Sequence, residues 1–534
     1  MTRTLFRSPA QITYRLPFQK PLLPLPDQNP RHNGMSDDQV VLGEQLERPS
    51  DLSPTTTLDA LPEYDIHPQD PVYCASRFGL KYLENLRDQS VGYCTADSAA
   101  NLTCFHSQTA SVPPETGTMR QLRTDTMCFG RSANFNATAQ KFSLGCESRT
   151  LEESEASRVP QLDQFTGYMY ATGARPVMNE RVVLDRKLAI EQPSRNFTIL
   201  VKREGAYNPW HSLMEIWSMT MTMDVLRMAK EPGTNAPFFS LTDVDNTQVM
   251  ILDDDDEGPY FDLWSIFAKR PAVRVRNMTT VHTTSENIII PLPGASNPIW
   301  QGDWNIHNCY RSPLLATFIQ RILNFYDIPT IPASHPDIVL TFIDRRSTRR
   351  IISQDSHLAA LRAHIPHLKV QSIDFATLSF AEQIKVVHGT DILVGVHGAG
   401  LTHAMFLPES AVVVEILPEG LTHKGFRNFA ALLGHAYFSA HGSNVGSKPG
   451  NKAEAEKMAR IVDGVAKTNG AAKAAGEGLD EAPLVPVPGA SILRKRGSGW
   501  QGEDVFLEEK RFLELIEVAV KVMYNKGLRN YDVN

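Results

Sequence analysis

The chain has 534 residues, enough for two or more domains with full cores. Hydrophobic residues make up 42% and charged residues 21%, an ordinary globular balance that excludes a wholly disordered or fibrous chain. A net charge of −7 and an isoelectric point near 6.2 argue against nucleic acid as the main partner, and no run reaches the ~20 apolar residues a membrane helix needs.

Residues 1–68 are rich in Pro, Asp, Gln and Ser without periodicity and read as a disordered tail or stem. The first twenty residues lack the apolar stretch of a signal peptide. Cys74, Cys94, Cys104, Cys128 and Cys146 fall close together, and Cys309 stands apart. None makes a CxxC metal pattern, so they read as a disulfide set of undetermined pairing in a loop-rich segment. Sequons at Asn101, Asn136, Asn196 and Asn277 point the same way. The expected location is therefore the secretory lumen, endoplasmic reticulum or Golgi, with any membrane attachment through an anchor not visible in the sequence.

Residues 69–326 read as a first α/β domain. Asn196–Val201 is a strand by its β-branched content. Pro209 sits where a helix begins, and Leu213, Ile216, Trp217 and Met221 keep helical spacing after it. His211 thus falls at a helix start just past a strand's carboxyl end, the place for a catalytic group at a domain edge; a capping or packing histidine is the plainer alternative. Gln248–Leu252 is another strand, ending in the acidic run Asp253–Glu257. Asp253 and Asp255 could hold a divalent ion, Mn or Mg, but a solvated acidic loop is the favoured reading. Arg311–Tyr326 is an amphipathic helix that closes the domain.

Residues 327–439 alternate strand and helix, which implies a parallel, doubly wound sheet. Strand Asp337–Ile343 runs into Arg345, Arg346, Arg349 and Arg350. Guanidinium forks suit phosphate oxygens and can do a metal's electrostatic work. Further on, DILVGVHGAGLTHAMFLPESAVVVEILP reads strand, Gly turn, short helix, strand. His397, Gly398, Ala399, Gly400, Leu401 and Thr402 form that turn, where glycine lets a ligand approach the backbone and amides can meet a phosphate. Glu415, on the following strand, could accept from ribose hydroxyls. Residues 440–500 are low-complexity and read as an insertion, and 501–534 as a closing helix.

The run Val394–Thr402, with Met405–Pro408 and Val413–Glu415, resembles the C-terminal signature of glycosyltransferase family 61. The resemblance implies a GT-B-type α/β fold: two Rossmann-like domains with the active cleft between them. It implies an inverting enzyme that transfers GlcNAc from UDP-GlcNAc to Ser or Thr hydroxyls of a glycoprotein or polypeptide acceptor, with no cofactor required. A xylosyl- or other pentosyltransferase, or a non-catalytic nucleotide-sugar- or glycan-binding relative, are the alternatives. By the same resemblance Arg203, Asn208 and His211 keep a family spacing, with Arg203 and Asn208 on the donor side. His211 is the expected base, and Glu215, one helical turn on, the group that orients it. Of the arginines, Arg346 and Arg350 fit the family spacing best, with Arg345 as the alternate.

Overall fold

The computed structural model describes residues 61–65, 70–110, 122–188, 194–278, 285–332, 336–346, 348–444 and 502–525. These all fall in one compact unit, Thr55–Asn534. Most of the expected tail and of the insertion lies outside the described residues. The last part of that tail, however, is core: Leu61 and Tyr64 are buried.

Helices α1 (Val72–Phe78) and α2 (Leu80–Asp88) precede strands β1 (Ser90–Gly92), β2 (Asn101–Ala110), β3 (Leu122–Asn136) and β4 (Lys141–Leu144). Helix α3 (Ala174–Arg181) leads into β5 (Val182–Leu184), and β6 (Phe197–Val201) into α4 (Pro209–Met228). Strands β7 (Thr247–Ile251), β8 (Val273–Arg274) and β9 (Glu286–Ile290) complete a nine-stranded sheet, and α5 (Pro313–Phe325) follows. The sheet order is β1-β2-β3-β9-β6-β7-β8, with β4 and β5 off β3. It is mixed. Strands β9, β6, β7 and β8 are parallel, whereas β1, β2 and β3 form an antiparallel flank.

That flank corrects the loop-rich expectation for the cysteine segment. Cys104 lies directly opposite Cys128 in the β2–β3 register and is bonded to it. Cys94 bonds Cys146, and the outlying Cys309 bonds Cys74 of α1. Three disulfides fit an oxidising compartment.

Helix α4 is buried on every side, from Trp210 to Met228. A helix apolar all round belongs in a core rather than on a surface. Its one carboxylate in the C-terminal half, Asp224, is met by Tyr64 at 2.5 Å, Arg321 at 2.7 Å and Arg227 at 2.9 Å. A buried charge is tolerated when it is paired in this way.

The second sheet is wholly parallel. It comprises β10 (Ile338–Ile343), β11 (Leu368–Ile373), β12 (Ile392–Val396), β13 (Val412–Leu417) and β14 (Ala436–His441), in the order β11-β10-β12-β13-β14. Helix α6 (Gln354–His364) and the closing helix α9 (Glu509–Asn525) bury one apolar face. Helices α7 (Phe380–His388) and α8 (Gly425–Leu432) cover the other, whose core is continuous with that around α4. The central strands β10, β12 and β13 are buried along their whole length because both faces are covered, whereas the edge strands β11 and β14 are partly exposed. The alternation of strand and helix read in the sequence is observed.

Candidate functional site

The order of the second sheet reverses between β10 and β12, so their carboxyl ends diverge into a crevice, the place where doubly wound sheets take ligands. Strand β10 delivers the arginine run to this crevice and β12 delivers His397–Gly398. At Gly398, φ is +153°, and a Cβ there would stand 2.6 Å from Arg345 Nη1 and 3.2 Å from Arg349 Nη1. Glycine is favoured here by the backbone angle, which side chains rarely adopt, and its lack of a Cβ leaves room for the two guanidinium groups.

The arginines facing the turn are thus Arg345 and Arg349. The pair expected from spacing is turned elsewhere: Arg346 is exposed and pairs with Asp344. Arg350 is held by Asp504, Nη2 to Oδ2 at 2.6 Å, with its backbone N–H on Oδ1 at 3.1 Å. Arg349, with φ +54°, is the member of the arginine run that lies outside the family spacing, and it stands four residues from Arg345. Arg345 Nε donates to the Thr348 carbonyl at 2.9 Å, which tightens the loop.

Within the turn, Ala399 and Gly400 are partly exposed. Leu401 is core, and its N–H is bonded to the Gly398 carbonyl at 2.9 Å. The Thr402 hydroxyl is buried without a hydrogen-bond partner among the described residues. Residues Ala399–Phe406 form a 3-10 helix rather than an α-helix. His397 is buried, and its Nδ1 meets Glu415 Oε1 at 2.5 Å. Glu415 Oε2 accepts from the Tyr437 hydroxyl at 2.5 Å. Glu415 is 1% exposed, so it anchors His397 where ribose contact was expected. Burial pushes the His397 imidazole down, against the Glu415 bond that favours its charged form.

The turn is tied to the first sheet. The His397 ring lies 4.9 Å from that of His423. His423 Nε2 bonds Asp303 Oδ2 at 3.0 Å, and Trp304 packs on the same ring at 5.1 Å. Helix α4 packs on the 3-10 helix, and Trp210 at its start meets Phe426 at 5.4 Å.

Asn208 caps α4 through its side chain, accepting from Trp210 N–H at 3.0 Å and His211 N–H at 3.4 Å. This is a structural task for a residue expected on the donor side. His211 is buried, with its ring 4.6 Å from Trp300 and 4.9 Å from Tyr170. Its Nδ1 lies 3.0 Å from the Glu204 carbonyl. A carbonyl only accepts, so Nδ1 donates and the lone pair of the neutral ring sits on Nε2. Glu215 does not hold the imidazole directly: its Oε2 accepts the Glu204 N–H at 3.0 Å, one residue removed.

Arg203 is buried and committed. It meets Asp253 at 2.7 Å and donates to the carbonyls of Asp255 at 2.8 Å and Glu257 at 2.9 Å. It thereby folds the acidic run onto the end of β6. Asp253 is engaged by the Arg203 guanidinium and by its backbone N–H, so its oxygens are already taken up by this pair. Among the described residues no group of three or more His, Cys, Asp or Glu is placed to hold a metal ion.

Fold and site define a mixed α/β protein with parallel sheets, consistent with a glycosyltransferase fold. Residues 209–414 match the family model Glycosyltransferase 61. An EGF domain-specific O-linked N-acetylglucosamine transferase from Drosophila melanogaster is 28% identical over 222 residues, 41% of this chain and 40% of the relative. The Xenopus laevis protein of the same name is 39% identical over 114 residues, 21% and 22% of the two chains. The Canis lupus familiaris protein is 27% identical over 248 residues, 45% and 44%. The chain spans less than half the length of these relatives.

Proposed function

We propose that the chain is an inverting GT-B-type glycosyltransferase that moves GlcNAc from UDP-GlcNAc to Ser or Thr hydroxyls of proteins in the secretory lumen. In this reading the boundary falls near residues 326–327, with the acceptor on the first-sheet side and UDP on the second. The observation that carries it is the convergence of Arg345 and Arg349 on the Gly398 turn at the strand-order reversal. The names of the relatives support the sugar and the acceptor class.

The departing diphosphate gathers negative charge, and preorganised guanidinium groups stabilise it without rearranging. His211 takes the acceptor proton at Nε2, the atom its tautomer leaves basic. The test is turnover of a panel of UDP-sugars, with and without Mn or Mg. UDP-GlcNAc turnover that needs no metal is expected; turnover of UDP-xylose alone would make this a pentosyltransferase. His211→Ala should abolish turnover and keep UDP binding. Loss of UDP binding instead would assign His211 to the donor site.

A further inference from the structure

Glu204 lies between β6 and α4 and is the residue on which His211 rests. Its carbonyl takes the Nδ1 proton at 3.0 Å and its N–H donates to Glu215 Oε2 at 3.0 Å. Its own carboxyl is buried, with Oε1 accepting from the Thr172 hydroxyl at 2.5 Å and from Ala295 N–H at 3.2 Å. Oε2 is sealed from solvent and has no hydrogen-bond partner among the described residues. Gly294 walls it in, since a Cβ there would stand 3.0 Å from Oε2 and 3.2 Å from Glu215 Cβ. His211, Arg203 and Asp253 are the other charged or titratable groups acting on the pair.

Two carboxyl groups confined in this way do not both ionise. Burial, and then the Glu204 charge, pushes Glu215 well above the usual carboxyl range. Burial also raises Glu204, but the Thr172 and Ala295 bonds and His211 oppose the rise. The two hydrogen bonds on its Oε1 make Glu204 the better placed of the pair to carry a negative charge.

We propose that Glu204 is a positioning residue for sugar transfer: its carbonyl fixes the His211 tautomer, and its carboxylate balances the imidazolium that forms. The proposal rests on His211 being the base. In the step, the acceptor hydroxyl gives its proton to Nε2 as its oxygen bonds the anomeric carbon. The bond from that carbon to the diphosphate oxygen breaks, and UDP leaves with the electron pair. His211 becomes a cation whose Nδ1–H keeps donating to the Glu204 carbonyl.

The probe is hydrolysis of UDP-GlcNAc, with water as acceptor, alongside UDP binding by calorimetry and a melting temperature for each variant. Glu204→Gln should lower kcat at least ~10-fold, the scale of proton-transfer assistance, with KM and UDP affinity at wild-type values. Glu215→Gln should cost less, because the amide stands in for a neutral carboxyl. Wild-type kcat in Glu204→Gln overturns the proposal, as does a parallel loss of kcat and UDP binding, which marks a merely structural role. If Glu204→Gln does not fold, Thr172→Val decides: it should lower kcat without moving KM, and wild-type kcat overturns the proposal. Turnover by His211→Ala would defeat the base reading itself; an inactive His211→Ala beside a fully active Glu204→Gln defeats only the role of Glu204.

Discussion

Arg349 is partly buried, with its guanidinium against the Gly398 turn, while Arg346, three residues earlier, stands in solvent beside Asp344. A charge-assisted bond to phosphate contributes roughly 1.5–3 kcal/mol, so Arg349→Gln should weaken UDP binding by about tenfold or more. Arg346→Gln should weaken it less, and equal losses by calorimetry would reassign the clamp. This choice was only half legible in the sequence. Four arginines at a strand end announce a phosphate site, but their directions depend on a left-handed residue at 349 and on Asp504, which arrives 154 positions after Arg350. His211 was legible because Pro209 and the periodic residues after it marked the helix start. Glu204 was not, since its contact with His211 runs through a backbone carbonyl and its carboxyl is buried by Thr172 and Ala295, which are distant in sequence.

At the level of elements, the turn after β12 and helix α4 are the parts with least freedom. Gly398→Ala would place a methyl 2.6 Å from Arg345 Nη1 at a backbone angle side chains avoid. UDP binding should be lost and the strained backbone should lower the melting temperature; retained affinity would show that the guanidinium groups can withdraw. Asp224 on α4 is a different case. Removing it leaves Arg227 and Arg321 with Glu63 as their remaining carboxylate, and breaking a buried pair costs about 3–5 kcal/mol. Asp224→Ala should therefore lower denaturant stability by that order, and a loss below ~1 kcal/mol, the range of exposed pairs, would contradict the burial. The second sheet could be read from the sequence because apolar runs and turn residues alternate cleanly. The antiparallel flank could not: β2 and β3 carry polar residues and cysteines, and their pairing is decided by contacts with β9 far downstream.

For the molecule as a whole, buried histidines govern the response to acid. Burial holds His106 near 3, and His307 and His403 near 4, where about 6.5 is usual. Between pH 6.5 and 4 the unfolded chain binds protons at these sites that the native chain refuses, so stability falls as pH falls through this window. The raised carboxyl of Glu215 acts in the opposite sense above pH 4.5, since there the native chain holds its proton. Below that, Glu63 adds to the loss: burial raises it, but Arg227 and Arg321 outweigh burial and hold it near 2. A melting temperature that declines from pH 6.5 and more steeply below 4.5 is expected; a flat profile would mean that the histidines reach water.

The Cys74–Cys309 bridge spans 235 positions, whereas the other two span 24 and 52. At roughly 5–20 residues per second of synthesis, Cys74 waits tens of seconds as a thiol before its partner exists. During that interval Cys94, Cys104, Cys128 and Cys146 can pair with one another and with Cys74. The ribosome thus presents five thiols long before the sixth, and a wrong early bond strands Cys309, the cysteine whose loop carries Asp303 to His423. Faithful maturation of this chain therefore calls for a disulfide-shuffling helper in the lumen, and yield on expression should track that helper more closely than it tracks temperature.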